Sequence, residues 1–182
     1  MLGRLDTTPA LDRPELLADP VAAALRAATD GASAERVLVA PIDPQLADTA
    51  AFCLAYEVPL DAAANCVVVA GRRGSQTTMA ACVVLATTRA DVNGVVRRHL
   101  DARKASFAAM DVAVAETEME YGGITPIGLP SGWPVLVDAA AAAAPLVVVG
   151  SGLRRSKLVL PGALLATLPG ASVIDGLAVP GR

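Results

Sequence analysis

The sequence predicts an α/β (α+β) fold in which a mixed, mainly antiparallel sheet carries helices on its faces. Short Val-rich runs recur along the chain, as expected for buried strands. Helix-start signals such as Asp19-Pro20 and Asp43-Pro44 lie between these runs. One pair of runs is joined by the turn at 71–75, which indicates a β-hairpin with a basic tip. Strands mixed with helices, together with a hairpin, favour this architecture.

The N-terminal part begins with a polar, proline-interrupted stretch up to Arg13, for which we expect a loose arm. A helix should start at Asp19-Pro20 and end near Asp30-Gly31, followed by a strand at 36–40. Asp43-Pro44 begins the next helix. The apolar side of that helix is expected to consist of Leu46, Ala50, Cys53 and Leu54.

The middle of the chain should contain the hairpin strands, at 65–70 and about 77–86. Asp91 can then cap a helix that carries His99 on an apolar face, and a short strand is expected at 104–107. Asp111 is expected to cap a further helix, which reaches about Glu118.

The C-terminal part follows a Gly- and Pro-rich loop at 121–132. Strands are expected at 134–138, 146–150, 157–160 and 172–175, with a short helix after Pro161. The Ala-rich tract 139–144 is a strong helix former. Neither a repeat nor an interdomain linker is found, which predicts a single domain. We assign residues 36–182 to this domain and residues 1–35 to an N-terminal arm and helix.

Composition limits the possible partners. The net charge is −3 and the isoelectric point about 5.1, so we do not expect the chain to bind long duplex nucleic acid, which requires many phosphate contacts. The longest uncharged apolar run, 139–149, is too short to span a bilayer and contains Pro145. The first residues lack the apolar stretch of a signal peptide, so we expect a cytoplasmic protein.

No cofactor or metal motif is found in the sequence. The three cysteines, Cys53, Cys66 and Cys82, form no CxxC pair, and we interpret them as small core residues. His99 is the single histidine, and on an apolar helix face it is a poor general base for a serine nucleophile. We therefore expect neither a metal ion nor a cofactor.

The loop at 121–132 is the most informative segment. Glycines let a backbone approach a ligand and turn its N–H groups inward, whereas prolines keep the rest of such a loop rigid. The loop could therefore present N–H donors to a developing oxyanion or to a ribose–phosphate. Its composition is equally compatible with a purely structural connection between a helix and a strand.

The segment Gly122-Gly123-Ile124-Thr125-Pro126-Ile127-Gly128 resembles the GGxxPxG signature of the YbaK/EbsC family of aminoacyl-tRNA deacylases. The fold of this family also forms the editing domain of bacterial prolyl-tRNA synthetase. Segments that resemble other family elements occur in the same order, at 64–69, 135–138 and 148–152. The resemblance covers about Pro44 to Leu168.

The resemblance implies a hydrolase that cleaves the ester of a mischarged aminoacyl-tRNA, with the acceptor end of the tRNA as its partner. It implies catalytic roles for Asn65, Gly122, Gly123 and Asp138. Substrate-binding roles fall on Lys104, Thr125, Pro126, Gly128, Ser151 and Gly152. The basic clusters at 72–73 and 154–157 could contact phosphates or could simply be solvated. Homodimerisation is left open.

Asn65 departs from the family pattern, which has a lysine at this position. A neutral amide stabilises a developing oxyanion less than an ammonium group does. Three interpretations follow: another cation substitutes, with Lys104 as the candidate; the substrate differs; or the protein is a non-catalytic module. Such a module would bind an aminoacyl-adenosine-like ligand, an RNA end or a protein. Asp138 is ambiguous too, because it could orient a water or merely cap the following helix.

Overall fold

The computed structural model describes residues 2–28 and 36–181, which form two main β-sheets with helices packed against them. The strands are β1 (Thr8–Pro9), β2 (Leu38–Pro41), β3 (Ala64–Arg73), β4 (Gln76–Leu85), β5 (Thr88–Ala90), β6 (Lys104–Phe107), β7 (Val135–Asp138), β8 (Val147–Gly150), β9 (Ser156–Leu160), β10 (Ala171–Ile174) and β11 (Ala178–Pro180). The α-helices are α1 (Asp19–Ala27), α2 (Thr49–Tyr56), α3 (Arg97–His99), α4 (Met110–Thr117) and α5 (Ala139–Ala143).

Shorter helical turns connect these elements. A π-helical turn (Val92–Val96) runs into α3. The 3-10 turns are Ala10–Asp12, Pro14–Leu16, Pro44–Leu46, Leu60–Ala62 and Gly162–Thr167. The last of these is the short helix expected after Pro161.

The larger sheet has the strand order β10-β7-β4-β3-β6. Its β10–β7 and β7–β4 pairs are parallel, and its β4–β3 and β3–β6 pairs are antiparallel. The smaller sheet, β1-β2-β9-β8, is antiparallel throughout, and β11 pairs with β5 in a short antiparallel ladder. The predicted mixed, mainly antiparallel architecture with flanking helices is therefore confirmed.

The β3–β4 hairpin is the longest ladder in the described residues, and it confirms the predicted hairpin. Its register runs from Ala64 opposite Leu85 to Arg73 opposite Gln76. Both strands extend closer to the tip than expected, so that only Gly74 and Ser75 form the turn. Gly74 has a φ of 60°, which a glycine adopts without strain.

The two main sheets meet where β3 begins. Ala63 forms an isolated parallel bridge with Val148 of β8. Because successive strand residues face opposite sides, this bridge determines which β3 side chains project towards α2 and which enter the main core. Ala63 packs with Phe52 of α2, whereas Ala64 packs in the core cluster that contains α1.

The N-terminal segment is not the loose arm that its polar composition suggested. Leu5 is 1% exposed and packs in the same cluster as Phe52. Thr8 pairs with Val39, which makes β1 an edge strand of the smaller sheet. Sequence reasoning failed here because an isolated leucine between polar residues gives no periodic signal.

The helix predicted from Asp43-Pro44 is divided in the structure. Asp43 caps the 3-10 turn Pro44–Leu46, and Asp48 then caps α2. Because α2 begins later than predicted, a different side of it faces the core. Leu54 is therefore 84% exposed, whereas Phe52 is buried. Similarly, α4 begins at Met110 with Ala109 at its N-cap, and Asp111 lies in its first turn instead of capping it.

His99 also lies in a different environment from the one its helical spacing predicted. The amide of Val96 donates to the carbonyl oxygen of Asp91, an i to i−5 bond that widens the turn before α3. The wider turn shifts the residues after it relative to an α-helical wheel. His99 is consequently exposed, not buried on an apolar face.

Among the described residues, no helix is both long enough and apolar enough to cross a membrane.

The burial of Leu5 makes a stability prediction. Replacing Leu5 with Ala should lower the free energy of unfolding by about 2–5 kcal/mol, because it leaves a cavity in a packed core. The matched change Leu54→Ala, on an exposed face of α2, should alter it by less than about 0.5 kcal/mol. Urea unfolding of both variants measures the difference. Equal values for the two would show that the N-terminal segment does not belong to the core.

Candidate active site

The first turn of α2 has polar partners on two different strands. The Thr49 hydroxyl donates a hydrogen bond to Oδ1 of Asn65 on β3, at 2.6 Å. The carbonyl oxygen of Ala47 accepts one from Nζ of Lys157 on β9, at 3.1 Å. Asp48, between them, caps the helix by accepting from the amides of residues 50 and 51. Asn65 and Lys157 are therefore both anchored to the segment 47–49.

Strand register explains why Asn65 and Lys157 meet at this helix. Lys157 pairs with Gly150 across β8 and β9. Ala63, two residues before Asn65, forms a parallel bridge with Val148, two residues before Gly150. β3 and β9 therefore approach β8 from its two sides, and both strands bring a polar side chain to the start of α2.

Both side chains also project to the same side of the strands. Ala63 and Val159 pack in the core cluster that includes Phe52 of α2. Asn65 and Lys157 lie two residues from Ala63 and Val159 in their respective strands, so they face α2 as well.

Asn65 is oriented by its hydrogen bond with Thr49. Because the hydroxyl donates to Oδ1, the amide nitrogen Nδ2 is left as the outward donor. Within residues 2–28 and 36–181, no acceptor for Nδ2 is present. The half-buried side chain can therefore donate to an incoming oxygen.

The double glycine forms a tight turn instead of a row of free amides. The amide of Gly123 donates to the carbonyl oxygen of Glu120 at 2.8 Å, and Gly122 has a φ of 84°, as in a type II turn. The Gly123 carbonyl in turn accepts from the amide of Gly152. The expectation that both glycine amides face the substrate is thus not met by Gly123, whereas Gly122 is exposed.

Close backbone packing explains why glycine is required at this turn. A Cβ atom on Gly123 would lie 2.6 Å from the carbonyl carbon of Leu153. A Cβ atom on Gly150 would lie 2.2 Å from the carbonyl oxygen of Gly123. The turn therefore lies directly against Gly150.

Arg154 connects the glycine turn to the segment before α2. Its guanidinium donates to the carbonyl oxygens of Tyr121 and Pro44, at 3.0 and 3.1 Å. Its amide donates to the Glu120 carboxylate at 2.6 Å. These bonds place a cation beside Gly122 and fix the distance between the turn and the start of α2.

Asp138 lies on the same face of the sheet as Asn65 but is occupied structurally. Asn65 lies opposite Val84, and β4 continues in parallel register to β7, so two strand spacings, about 10 Å, separate the two residues. Asp138 is 7% exposed, and its carboxylate accepts hydrogen bonds from the amides of Ala140 and Ala178, at 3.1 and 3.0 Å. The capping interpretation of Asp138 agrees with these contacts.

Ser151 and Gly152 are not brought into the open site. The Ser151 hydroxyl is fully buried and lies 2.7 Å from the Ser156 hydroxyl, which donates to the carbonyl oxygen of Leu16. Gly152 packs on α1, where a Cβ atom would lie 2.4 Å from that of Ala18. Both residues join the N-terminal segment to the β8–β9 turn, so the resemblance overstated their contact with substrate.

The second half of the loop faces a different part of the molecule. Pro126 and Gly128 border a cavity of about 970 Å³ together with the end of α1, and a Cβ atom on Gly128 would clash with the carbonyl of Pro20. Thr125 is fully buried, and its hydroxyl has no partner among the described residues. Among the described residues that line this cavity, neither Asn65 nor Gly122 is present.

Lys104 is distant from Asn65, contrary to its proposed role as a substitute cation. It pairs with Arg72 at the far end of β3, seven residues from Asn65, or about 23 Å. There it lines a cleft of about 440 Å³ with other basic and polar side chains. These are Arg72, Asn93, Arg97, Arg103 and Ser106.

Lys157 is the cation that bonds to the same segment, 47–49, as Asn65. It is 7% exposed, and its Nζ lies 5.5 Å from the ring centroid of Phe52. Burial lowers the pKa of its ammonium below the ordinary 10.5; Cys53 and Asp48 partly oppose this, and Arg154 adds to it. Burial also raises the pKa of the Cys53 thiol.

The cysteines do not form a reactive or metal-binding group. Cys53 and Cys82 are buried, as expected for core residues, and Cys66 is half-buried. Burial raises the pKa of Cys82 to about 12, so its thiol remains protonated at neutral pH. Within residues 2–28 and 36–181, no cluster of His, Cys, Asp and Glu side chains could hold a metal ion.

The family model for the aminoacyl-tRNA editing domain matches residues 43–168, well over half of the chain. The chain belongs to the aminoacyl-tRNA editing domain family. The match includes α2, the strands that carry Asn65 and Lys157, and the glycine turn. In a separate comparison, no curated protein sequence matches this editing domain.

Solved structures share the fold of the editing domain at low sequence identity. A candidate trans-editing enzyme for prolyl-tRNA synthetase superposes with a TM-score of 0.71 at 20% identity, covering 90% of this chain and 99% of that one. A protein from work on computational grafting of linear epitopes onto scaffolds gives 0.73 at 21%, covering 90% and 97%. A hypothetical protein gives 0.71 at 17%, covering 82% and 95%.

Sequence reasoning missed three residues at this site of the editing domain: Thr49, Arg154 and Lys157. Thr49 follows the Asp48 cap, where a hydroxyl usually serves only the helix. Arg154 and Lys157 were grouped in a basic cluster that could be solvated. The useful signal was the position of Lys157 in the otherwise uncharged strand 156–160, where a charged side chain needs an explanation.

The capping role of Asp138 can be tested against another cap. Asp138→Ala should lower the free energy of unfolding by about 1–2 kcal/mol, because the partly buried amides of Ala140 and Ala178 lose their acceptor. Asp91→Ala, which removes the cap of the π-helical turn, is the matched control and should have a similar effect. Urea unfolding of both variants measures the loss. An unchanged stability of Asp138→Ala beside a destabilised Asp91→Ala would contradict the capping role.

The buried Lys157 ammonium makes a prediction about pH. Between its lowered pKa and 10.5 the folded editing domain binds fewer protons than the unfolded chain, so stability rises with pH over this window. Lys157→Met should therefore be neutral to about 2 kcal/mol more stable than wild type at pH 7. That gain should shrink as the pH approaches 10.5. Urea unfolding of both proteins from pH 7 to 10.5 measures it; a gain that grows with pH would contradict the assignment.

Proposed function

We propose that the protein is a trans-editing hydrolase, which cleaves the ester between a wrong amino acid and the terminal adenosine of a tRNA. Membership of the aminoacyl-tRNA editing domain family supports the substrate class. The observation that carries the proposal is the Thr49–Asn65 hydrogen bond, which leaves an amide donor at the start of α2.

The reaction requires little chemistry from the protein. Water attacks the carbonyl carbon of the ester, and negative charge develops on the carbonyl oxygen. The bond from this carbon to the ribose oxygen then breaks, and the ribose oxygen takes a proton released by the attacking water. Free amino acid and tRNA are the products. The protein has to position the ester and stabilise the oxyanion.

Each element of the site has a role in this proposal. Nδ2 of Asn65 donates to the ester carbonyl or to a ribose hydroxyl. Gly122 is exposed at the turn, where the absence of a side chain lets the terminal adenosine approach. Arg154 keeps the turn at a fixed distance from α2. Asp138 supports the sheet at the same face, through its two partly buried hydrogen bonds.

The direct test is deacylation of a panel of mischarged tRNAs by the purified protein. We expect release of at least one amino acid above the spontaneous rate. Asn65→Ala should reduce kcat/KM about 10- to 100-fold, since one donor to the transition state is lost. Gln76→Ala, an amide removed at the exposed hairpin tip, should leave it unchanged. No turnover on any tRNA at high enzyme concentration would count against the proposal.

A second candidate function is a non-catalytic module that binds an aminoacyl-adenosine-like ligand, an RNA end or a protein. The observation in its favour is the neutral Asn65 at the position of the family lysine. Asn65→Lys separates the two functions. Deacylation gained from a zero baseline favours the binding module, whereas loss of an existing activity favours an enzyme adapted to Asn65.

The cleft around Lys104 fits tRNA phosphates better than the ester. Arg72 and Lys104 lie directly opposite each other in the ladder, an unfavourable placement for like charges. A bound phosphate would relieve this repulsion. We include Lys104 in the proposed function as a phosphate contact about 23 Å along β3 from Asn65.

The phosphate contact should appear in the salt dependence of binding. Lys104→Ala should weaken tRNA binding about three- to tenfold and reduce the slope of log K against log salt by about 1, because one fewer counterion is released. Arg89→Ala, which removes an exposed cation on β5, is the control. Binding titrations at several salt concentrations measure the slopes. Identical slopes for wild type and Lys104→Ala would exclude this contact.

A further inference from the structure

Lys157 is held in a way that a purely structural lysine rarely is. It is 7% exposed, and an ammonium has three N–H donors, of which one reaches the carbonyl of Ala47. Three ion pairs are present in residues 2–28 and 36–181, Arg4–Glu57, Arg13–Glu15 and Arg73–Asp101, and none includes Lys157. Besides this bond, the Phe52 ring lies against the ammonium, with its centroid 5.5 Å from Nζ, and two N–H donors keep no acceptor among the described residues. A buried cation in this state is costly to the fold and indicates a functional site.

Charged groups around Lys157 act on its ammonium in both directions, since Cys53 and Asp48 favour it and Arg154 opposes it. The N-terminus of α2, which carries partial positive charge, lies next to it, and the Arg154 cation also acts on it. Asp48 is the acidic group of the segment 47–49. Its Oδ1 accepts two hydrogen bonds from amides in the first turn of α2. The ammonium and the positive end of α2 together suit an oxygen that becomes negative.

The family places a lysine where this chain has Asn65, on β3. Lys157 reaches the segment that holds Asn65 from β9, where it pairs with Gly150 of β8. Both side chains are anchored within residues 47–49 and face α2. The charge missing from β3 is therefore present two strands away.

We propose that Lys157 supplies the positive charge of the editing site, and that it stabilises the ester oxyanion together with the Asn65 amide. As the tetrahedral intermediate forms, Nζ of Lys157 donates one hydrogen bond to the former carbonyl oxygen. Nδ2 of Asn65 donates a second hydrogen bond to the same oxygen. Lys157 remains protonated throughout and is not consumed. This inference rests on the proposed function and adds a catalytic residue to it.

Moving the charge back to β3 tests the inference. Lys157→Met should lower kcat/KM for the cleaved aminoacyl-tRNA by at least 100-fold. The double variant Asn65→Lys, Lys157→Met should recover to within about tenfold of wild type, because the ammonium again reaches the same oxygen. Arg89→Met, which removes a cation with a similar change of side chain, should keep wild-type activity. Activity retained in folded Lys157→Met would overturn the inference.

A binding measurement on the wild-type protein provides a second readout. The chain has two lysines, Lys104 and Lys157, so ¹³Cε-labelled lysine gives two signals that Lys104→Arg assigns. The ligand is an adenosine that carries the amino acid through an amide in place of the ester. We expect the Lys157 signal to shift on saturation. A Lys157 signal that stays in place at saturation would overturn the inference, even if Lys157→Met failed to fold.

The two experiments separate this inference from the proposed function. Deacylation by wild type that is unaffected in Lys157→Met leaves the proposed function intact and removes Lys157 from it. A Lys157 signal that shifts with the ligand, without deacylation of any tRNA, keeps Lys157 in a binding site and rejects the hydrolase. If neither binding nor deacylation occurs, both are rejected.

Discussion

The arrangement of the site depends on one contact between the two sheets, the bridge from Ala63 to Val148. This bridge brings the start of β3, two residues before Asn65, alongside β8. Gly150 has no side chain, which lets the Gly123 carbonyl pack where a Cβ atom would otherwise lie. If the register slipped by one residue, Asn65 would face the opposite core and the turn would have no place to pack. The site is thus a consequence of strand register more than of any loop.

Hydrogen-bond satisfaction separates structural from functional polar residues in this molecule. The carboxylate of Asp138 and the hydroxyl of Ser151 are buried with partners inside the fold, which is the usual state of buried polar groups. Asn65 and Lys157 are held by one bond each and retain donors without acceptors among the described residues. Polar groups of this second kind are those that a substrate oxygen can complete.

The fold could be predicted from the sequence where the signals were local and periodic. The hairpin, β6 and the caps at Asp43 and Asp91 follow from alternation and turn chemistry, and the structure contains all of them. Other features depended on tertiary contacts. Leu5 is buried because a partner surface exists for it, and the π-helical turn exposes His99 because one extra residue is accommodated before α3.

The site itself was only partly predictable, for a different reason. The motif identified the glycine turn and Asn65, since both are defined by residue type and order. The motif gave no information on which amides of the turn are already bonded, and the Gly123 amide is engaged with Glu120. It also gave no information on Lys157, because the contribution of β9 arises from its pairing with Gly150, far from Asn65 in sequence. Lys104 was the nearer choice in sequence and lies at the opposite end of β3.

Relocating a charge within a site is possible when the reacting oxygen can be approached from two strands. The oxyanion needs a donor at hydrogen-bond distance, and the field of a buried ammonium acts equally from β3 or from β9. A lysine at both positions would place two buried like charges beside the positive end of α2, at a high cost. A neutral Asn65 is therefore what electrostatics favours once Lys157 occupies β9, and the departure from the family pattern and the buried cation have one explanation.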